Sequence, residues 1–296
     1  MSQSATTWPQ AIERYRHYLR TLDRSPCTEH HYASDLQQFA RWHVQVYGHD
    51  PGIVETLDVS AWRQHLQAEL RQAPTSVNRR LSALKSYCAW QAETGITATD
   101  NGAGIKYVKV ANQSTAPAVP SHAETLRLFK AVIGRRRDYA LISLFVQCGL
   151  RLSEAAGIRL QDVQIGERKG NVRVLGKGNK VRDVALNQAA REALQAYLRE
   201  RKPSDDDHLF LSQRGTPLAT RTIQHMVGKA LKRAGCEGYT VHTLRHLFAT
   251  NLYDLHKDIR LVQEALGHSR IEVTQRYTHT PEGALQEAVE QMKSNI

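Results

Sequence analysis

No apolar run in this 296-residue chain is long enough to cross a bilayer, and its first residues (MSQSATTWPQ) lack the basic-then-apolar pattern of an export signal. Cysteine is sparse as well. The four present, Cys27, Cys88, Cys148 and Cys236, lie far apart with no C-x-x-C pair, so neither a disulfide framework nor a zinc ribbon is indicated. Acidic residues are also in deficit: 29 Asp and Glu face 40 Lys and Arg, for a formal net charge of +11. That surplus favours an anionic polymer as partner, because each neutralised phosphate releases condensed counterions. The expectation is a cytoplasmic protein with reduced thiols and no membrane partner. At 41% hydrophobic residues the chain can bury a sizeable core, and its length suits two ordinary domains.

Strand patterns are missing from the first third. Trp8, Ile12, Tyr15 and Leu19 recur at helical spacing, followed by Tyr32, Leu36 and Phe39. Ser60 is placed to cap a third helix bearing Trp62, Leu66 and Leu70, and a fourth follows Pro74 with Val77, Leu81, Leu84 and Cys88 on one stripe. Arg79 projects away from that stripe, with Arg80 and Lys85 flanking it. The segment 111–121 (ANQSTAPAVPS) is small, polar and proline-bearing, which predicts a linker between a helical domain at 1–110 and a second domain at 122–296. Ser121 and Glu124 form a capping box for a helix with Leu126, Phe129 and Ile133. The second domain is predicted to be helical apart from a β-hairpin within 171–186. Ile223, Met226, Val227, Ala230 and Leu231 make a later helical stripe closed by Gly235. The fold class is thus mainly α with a small β-hairpin or sheet (α+β).

Four short stretches carry chemistry. In HTLRH, at about 100° per residue, His242, Arg245 and His246 fall on one side of a helix, opposite Leu244, Leu247, Phe248 and Leu255. An arginine offers a planar fork for two phosphate oxygens and a histidine a hydrogen bond or a proton. His242 and His246 lack a third ligand and the glutamate of H-E-x-x-H, so no metal site is expected. In CGLRLSEAAGI, Gly149 breaks an apolar helix and Arg151 stands at the entry to the next, with Glu154 as its natural counter-charge. Lys177 sits between glycines in the hairpin turn LGKGNK. In LGHSRIEVTQRYTHTP, Gly267 suits a helix C-terminus, His268 the corner, and Ser269 with Glu272 a second capping box, putting Tyr277 two turns along the next helix. Each stretch alone is also compatible with an ordinary surface role.

Together, Arg151, Lys177, His242, Arg245, His268 and Tyr277, in that order, resemble the catalytic set of the tyrosine recombinase (phage integrase) family. The strings GLRLSEAAGI, LGKGNKVR, HTLRHLFAT and LGHSRIEVTQRYTH carry the resemblance, and it extends over nearly the whole chain. SVNRRLSALKSYCAW resembles the DNA-contacting helical region of Xer-type recombinases, which marks Arg79, Arg80 and Lys85 as expected DNA-binding residues.

The resemblance implies a helical core-binding domain plus a recombinase catalytic domain. Its activity would be strand cleavage and rejoining through a 3′-phosphotyrosyl intermediate, for resolution or integration of DNA elements. Tyr277 would be the nucleophile, Arg151, Arg245 and His268 the phosphate ligands, His242 the base and Lys177 the acid. Neither metal, ATP nor any other cofactor is implied. The implied partners are a double-stranded DNA site and a homo-oligomer, two protomers per site and four in a synapse, or a related recombinase. The amphipathic C-terminal helix (Leu285, Ala288, Val289, Met292) would dock on a neighbouring protomer. The final residues lack the HPRA-like ending common in chromosomal Xer proteins, which leans the expectation towards a mobile element. Type IB topoisomerase-like relaxation and a catalytically silent DNA-binding regulator are the alternatives.

Overall fold

The computed structural model describes residues 7–22, 24–110, 118–176, 180–267 and 289–292. The chain divides into two compact units, Met1–Ser114 and Thr115–Ile296.

Among its described residues the first unit has helices and connecting loops but no strand. Helices α1 (Trp8–Thr21), α2 (Pro26–Tyr47), α3 (Thr56–Gln64) and α4 (Pro74–Glu93) enclose a core rich in aromatics. Trp8, Tyr15, Phe39, Trp62, Tyr87 and Trp90 are all buried there. Proline at the start of α1, α2 and α4 fits the first helical turn, where its missing N–H costs nothing. The third helix begins earlier than the sequence pattern predicts. Asp58 reaches back to the Glu55 N–H at 2.9 Å and sets the start there, while the Ser60 hydroxyl bonds the Thr56 carbonyl from inside the helix. A π-helical turn (His65–Glu69) then follows, with Leu66 buried, and Leu70 is left exposed.

The second unit is built round α6 (Arg136–Cys148), which packs on α8 (Gln188–Glu200) and α10 (Val241–His256). From Ala140 to Val146 every residue of α6 is buried, so it is a central helix with no solvated face over that stretch. Helix α5 (His122–Val132) opens with the expected Ser121–Glu124 capping box. Its buried face is Thr125, Leu128, Phe129 and Val132, and Ile133 is exposed because the helix stops before it. Further helices of this unit are α7 (Leu152–Gly157), α9 (Thr220–Arg233) and α11 (Ile259–Leu266).

The sheet has three antiparallel strands in the order β1 (Val163–Ile165), β2 (Gly170–Leu175) and β3 (Val181–Ala185). Val172 pairs with both Val163 and Val184, and the inward Val172, Val174 and Val184 join the main core. Strand β1 was not anticipated; three residues are too few to show alternation. Near the end of the chain, Val289 and Met292 are buried, and Met292 clusters with Phe248, Leu252, Leu261 and Leu266 of the same unit. These two members of the stripe expected to dock on a neighbouring protomer pack on their own unit instead, while Leu285 and Ala288 lie outside the described residues.

Candidate active site

Gly149 ends α6 in the left-handed region (φ 62°), and a side chain at that position would overlap the Phe248 ring. The turn it permits brings Arg151 to the start of α7, with Glu154 three residues later. Glu154 accepts the Arg151 backbone N–H on Oε2 at 2.8 Å and Arg151 Nη1 on Oε1 at 2.6 Å. The expected pairing of these two residues is therefore present.

Two further arginines converge on the same carboxylate. Arg182, from β3, donates Nη1 to Oε1 at 2.5 Å and Nη2 to Oε2 at 3.2 Å. Arg245, from α10, brings Nη1 to 3.9 Å from Oε2 and donates to two backbone carbonyls, Gly149 through Nη1 and Leu266 through Nη2 at 2.6 Å. Arg151 Nη2 donates to the Gly267 carbonyl at 3.3 Å. Three cations thus surround one carboxylate that is only 3% exposed.

Burial works to raise the Glu154 carboxyl, but hydrogen bonds from Arg182 and the Arg151 backbone outweigh it and hold the group below the usual carboxylate range. Arg245 is pushed down to about 10, first by burial and then by the Arg151 charge, and remains a cation at neutral pH. An arrangement with excess fixed positive charge and oriented guanidinium forks is suited to an incoming phosphate.

The polar face predicted for α10 is corrected in two respects. Arg245 is buried with Leu244, Leu247 and Phe248, and Leu255 is exposed. His242 lies on the solvent side, three residues before Arg245, with its ring edge-on to that of His246 at 4.4 Å. Desolvation, followed by the His242 and Arg245 charges, lowers the His246 pKa and favours its neutral form.

Lys177, His268 and Tyr277 lie outside the described residues. Lys177 follows Gly176, where an added Cβ would stand 3.8 Å from Glu154 Oε1. His268 follows Gly267, which caps α11 in the left-handed region (φ 61°) as its sequence context predicts. The described part of the set, Arg151 and Arg245, is brought to one carboxylate, with His242 on the same helix as Arg245.

Arg182 escaped the sequence reading. The available signal was alternation: Arg182 shares the strand face of Val184, so an arginine was due to point inward. The three DNA-binding candidates are placed differently from one another. Arg79 forms an ion pair with Asp35 and leaves 47% of its side chain exposed. Arg80 is engaged by Gln38 and Gln72. Lys85 donates to the Ile105 carbonyl at 2.5 Å and lies over the Tyr107 ring.

Residues 121–283 match the phage integrase family model, and residues 12–95 match the model of its N-terminal SAM-like domain. A tyrosine recombinase XerC from Xanthomonas campestris pv. campestris (strain B100) is 36% identical over 293 residues, covering 94% of this chain and 88% of the relative. Another, from Caldanaerobacter subterraneus subsp. tengcongensis, is 32% identical over 313 residues, covering 96% and 87%. Among solved structures, a XerH site-specific recombinase bound to palindromic difH substrate is similar with a TM-score of 0.69 at 23% identity, over 88% of this chain and 77% of that one. A lambda integrase tetramer bound to a Holliday junction gives 0.67 at 19% identity, over 90% and 81%. At those identities the structural likeness speaks for the fold.

Proposed function

The chain belongs to the phage integrase family, and we propose that it is a site-specific DNA recombinase cutting and rejoining strands through Tyr277, for resolution or integration of DNA elements. The observation that carries this reading is the meeting of Arg151 and Arg245 at Glu154, beside the Gly267 corner that leads in sequence to His268 and Tyr277.

The chemistry follows from the charges. Attack on a phosphodiester builds negative charge on its non-bridging oxygens, and preorganised donors there are usually the largest catalytic contribution. Arg151 and Arg245 supply fixed cations, and His268 adds a donor. The Tyr277 oxygen attacks phosphorus, and its proton passes to His242, the acceptor required by a phenol whose ordinary pKa is about 10. The bond from phosphorus to the 5′-oxygen breaks, and Lys177 gives that oxygen its proton. The 3′-phosphotyrosyl bond conserves the energy of the phosphodiester, so a second 5′-hydroxyl can displace Tyr277 without ATP.

The substrate in this reading is duplex DNA in the cytoplasm, held by the two units, with Arg79, Arg80 and Lys85 contributing phosphate contacts. Two protomers act per site and four in the synapse. DNA carrying two copies of a site selected by the protein from a random-sequence duplex library tests the proposal. Recombinant junctions are expected. Relaxation of supercoils without junctions, or binding without any strand exchange, would contradict it.

A further inference from the structure

Arg182 has no part in the reaction just described, yet it is the residue most completely engaged with Glu154. It places both terminal nitrogens of its guanidinium on the two carboxylate oxygens, whereas the Arg151 guanidinium gives only Nη1, its other bond to Glu154 coming from the backbone N–H, and Arg245 stands at 3.9 Å. The inner edge of Arg182 is close to the chain just before His268: a Cβ on Gly267 would fall 2.7 Å from both Cδ and Nε of Arg182. That Nε is buried and has no hydrogen-bond partner among the described residues.

A carboxylate this deeply buried must be neutralised by its neighbours. Without Arg182, the remaining cations near Glu154 among the described residues are Arg151 and Arg245, the two assigned to the phosphate. Arg245 would need to move less than an ångström or so to reach hydrogen-bonding range of Oε2. Glu154 would then compete with the substrate for the same donors.

We infer that Arg182 is a positioning residue: its fork neutralises Glu154, and so leaves Arg151 and Arg245 with donors for the phosphodiester. The inference rests on the recombinase reading. It assigns Arg182 a role through charge, which a purely architectural residue would lack.

The test uses the full chain, a nicked suicide duplex bearing the site selected by the wild-type protein, and single-turnover formation of the covalent adduct. Arg182→Gln is expected to slow adduct formation at least about tenfold, which corresponds to roughly 1.4 kcal/mol in the barrier. Its affinity for the duplex should change less than about twofold, because most binding comes from phosphates away from the scissile one. The double variant Glu154→Gln, Arg182→Gln removes both charges and should recover to within about threefold of wild type, as coupled residues depart from additivity. Losses that simply add in the double variant would overturn the inference. Should Arg182→Gln fold poorly, Arg182→Lys provides the second measure: it keeps the charge without the fork and must cleave several-fold faster than Arg182→Ala. Equal rates for those two would overturn it as well. A wild-type protein that forms no adduct on its selected site refutes the recombinase reading instead.

Discussion

Arg182 and Glu154 meet as a fork on a carboxylate, with Nη1–Oε1 at 2.5 Å and Nη2–Oε2 at 3.2 Å. The pair joins β3 to α7 and so ties the turn end of the hairpin to the helix that Arg151 enters. A buried ion pair contributes little net stability against an apolar alternative, but removing one partner leaves the other uncompensated.

Glu154→Ala should therefore destabilise the protein by about 3 kcal/mol, the lower part of the range for breaking a buried pair, since Arg151 is partly solvated. Glu154→Gln, which keeps an acceptor for the Arg151 N–H, should lose less. Guanidinium denaturation of the two variants compares them directly. Equal stability of Glu154→Ala and wild type would contradict the burial argument.

The Glu154 carboxyl is held below its ordinary range in the folded protein, so its contribution to stability is present above the unfolded-state pKa of about 4.3. That contribution is lost as pH falls through the depressed folded value. Thermal melts between neutral pH and pH 3 should show wild-type stability falling more steeply than that of Glu154→Gln. Parallel curves would mean that Glu154 does not titrate in this way.

Gly149 and Gly235 both adopt positive φ (62° and 66°), but their surroundings differ. A Cβ at Gly149 meets the Phe248 ring, while one at Gly235 meets nothing within 4 Å. Gly235→Ala should cost about 1 kcal/mol through its backbone alone. Gly149→Ala adds a core clash and should cost roughly 1–3 kcal/mol more. It should also slow any reaction needing Arg245, which bonds the Gly149 carbonyl. Equal melting points for the two variants would rule out the close approach.

The helices were legible because their apolar stripes are long and their caps chemically distinct, as at Ser121–Glu124 and Gly267. Boundaries moved where a local hydrogen bond outweighed the pattern, as when Asp58 started α3 ahead of Ser60. Strand β1 was too short to leave a periodicity. In the site, Arg151 and Arg245 were singled out by their helix positions and by the ordered motifs shared with the recombinase family, and Glu154 as the counter-charge expected of Arg151. Arg182 was missed because an arginine in a strand beside a lysine-bearing turn reads as surface charge until its partner, 28 residues away in sequence, is seen.

A surplus of 11 positive charges and the proposed phosphate contacts make affinity for duplex DNA salt-dependent. Raising salt from about 50 to 200 mM should weaken binding by roughly a thousandfold or more if six or more phosphates are engaged. A fluorescence-anisotropy titration at several salt concentrations gives the slope, and a flat one would contradict phosphate-dominated binding.

The central claim is that Tyr277 becomes joined to a 3′-phosphate. Incubation with the nicked suicide duplex, followed by protease digestion and mass spectrometry of the adduct, locates the linkage. The account predicts one modified peptide containing Tyr277, bearing a 3′-phosphoryl nucleotide, and no adduct from Tyr277→Phe. An adduct that survives in Tyr277→Phe, or one attached to another residue, would contradict it.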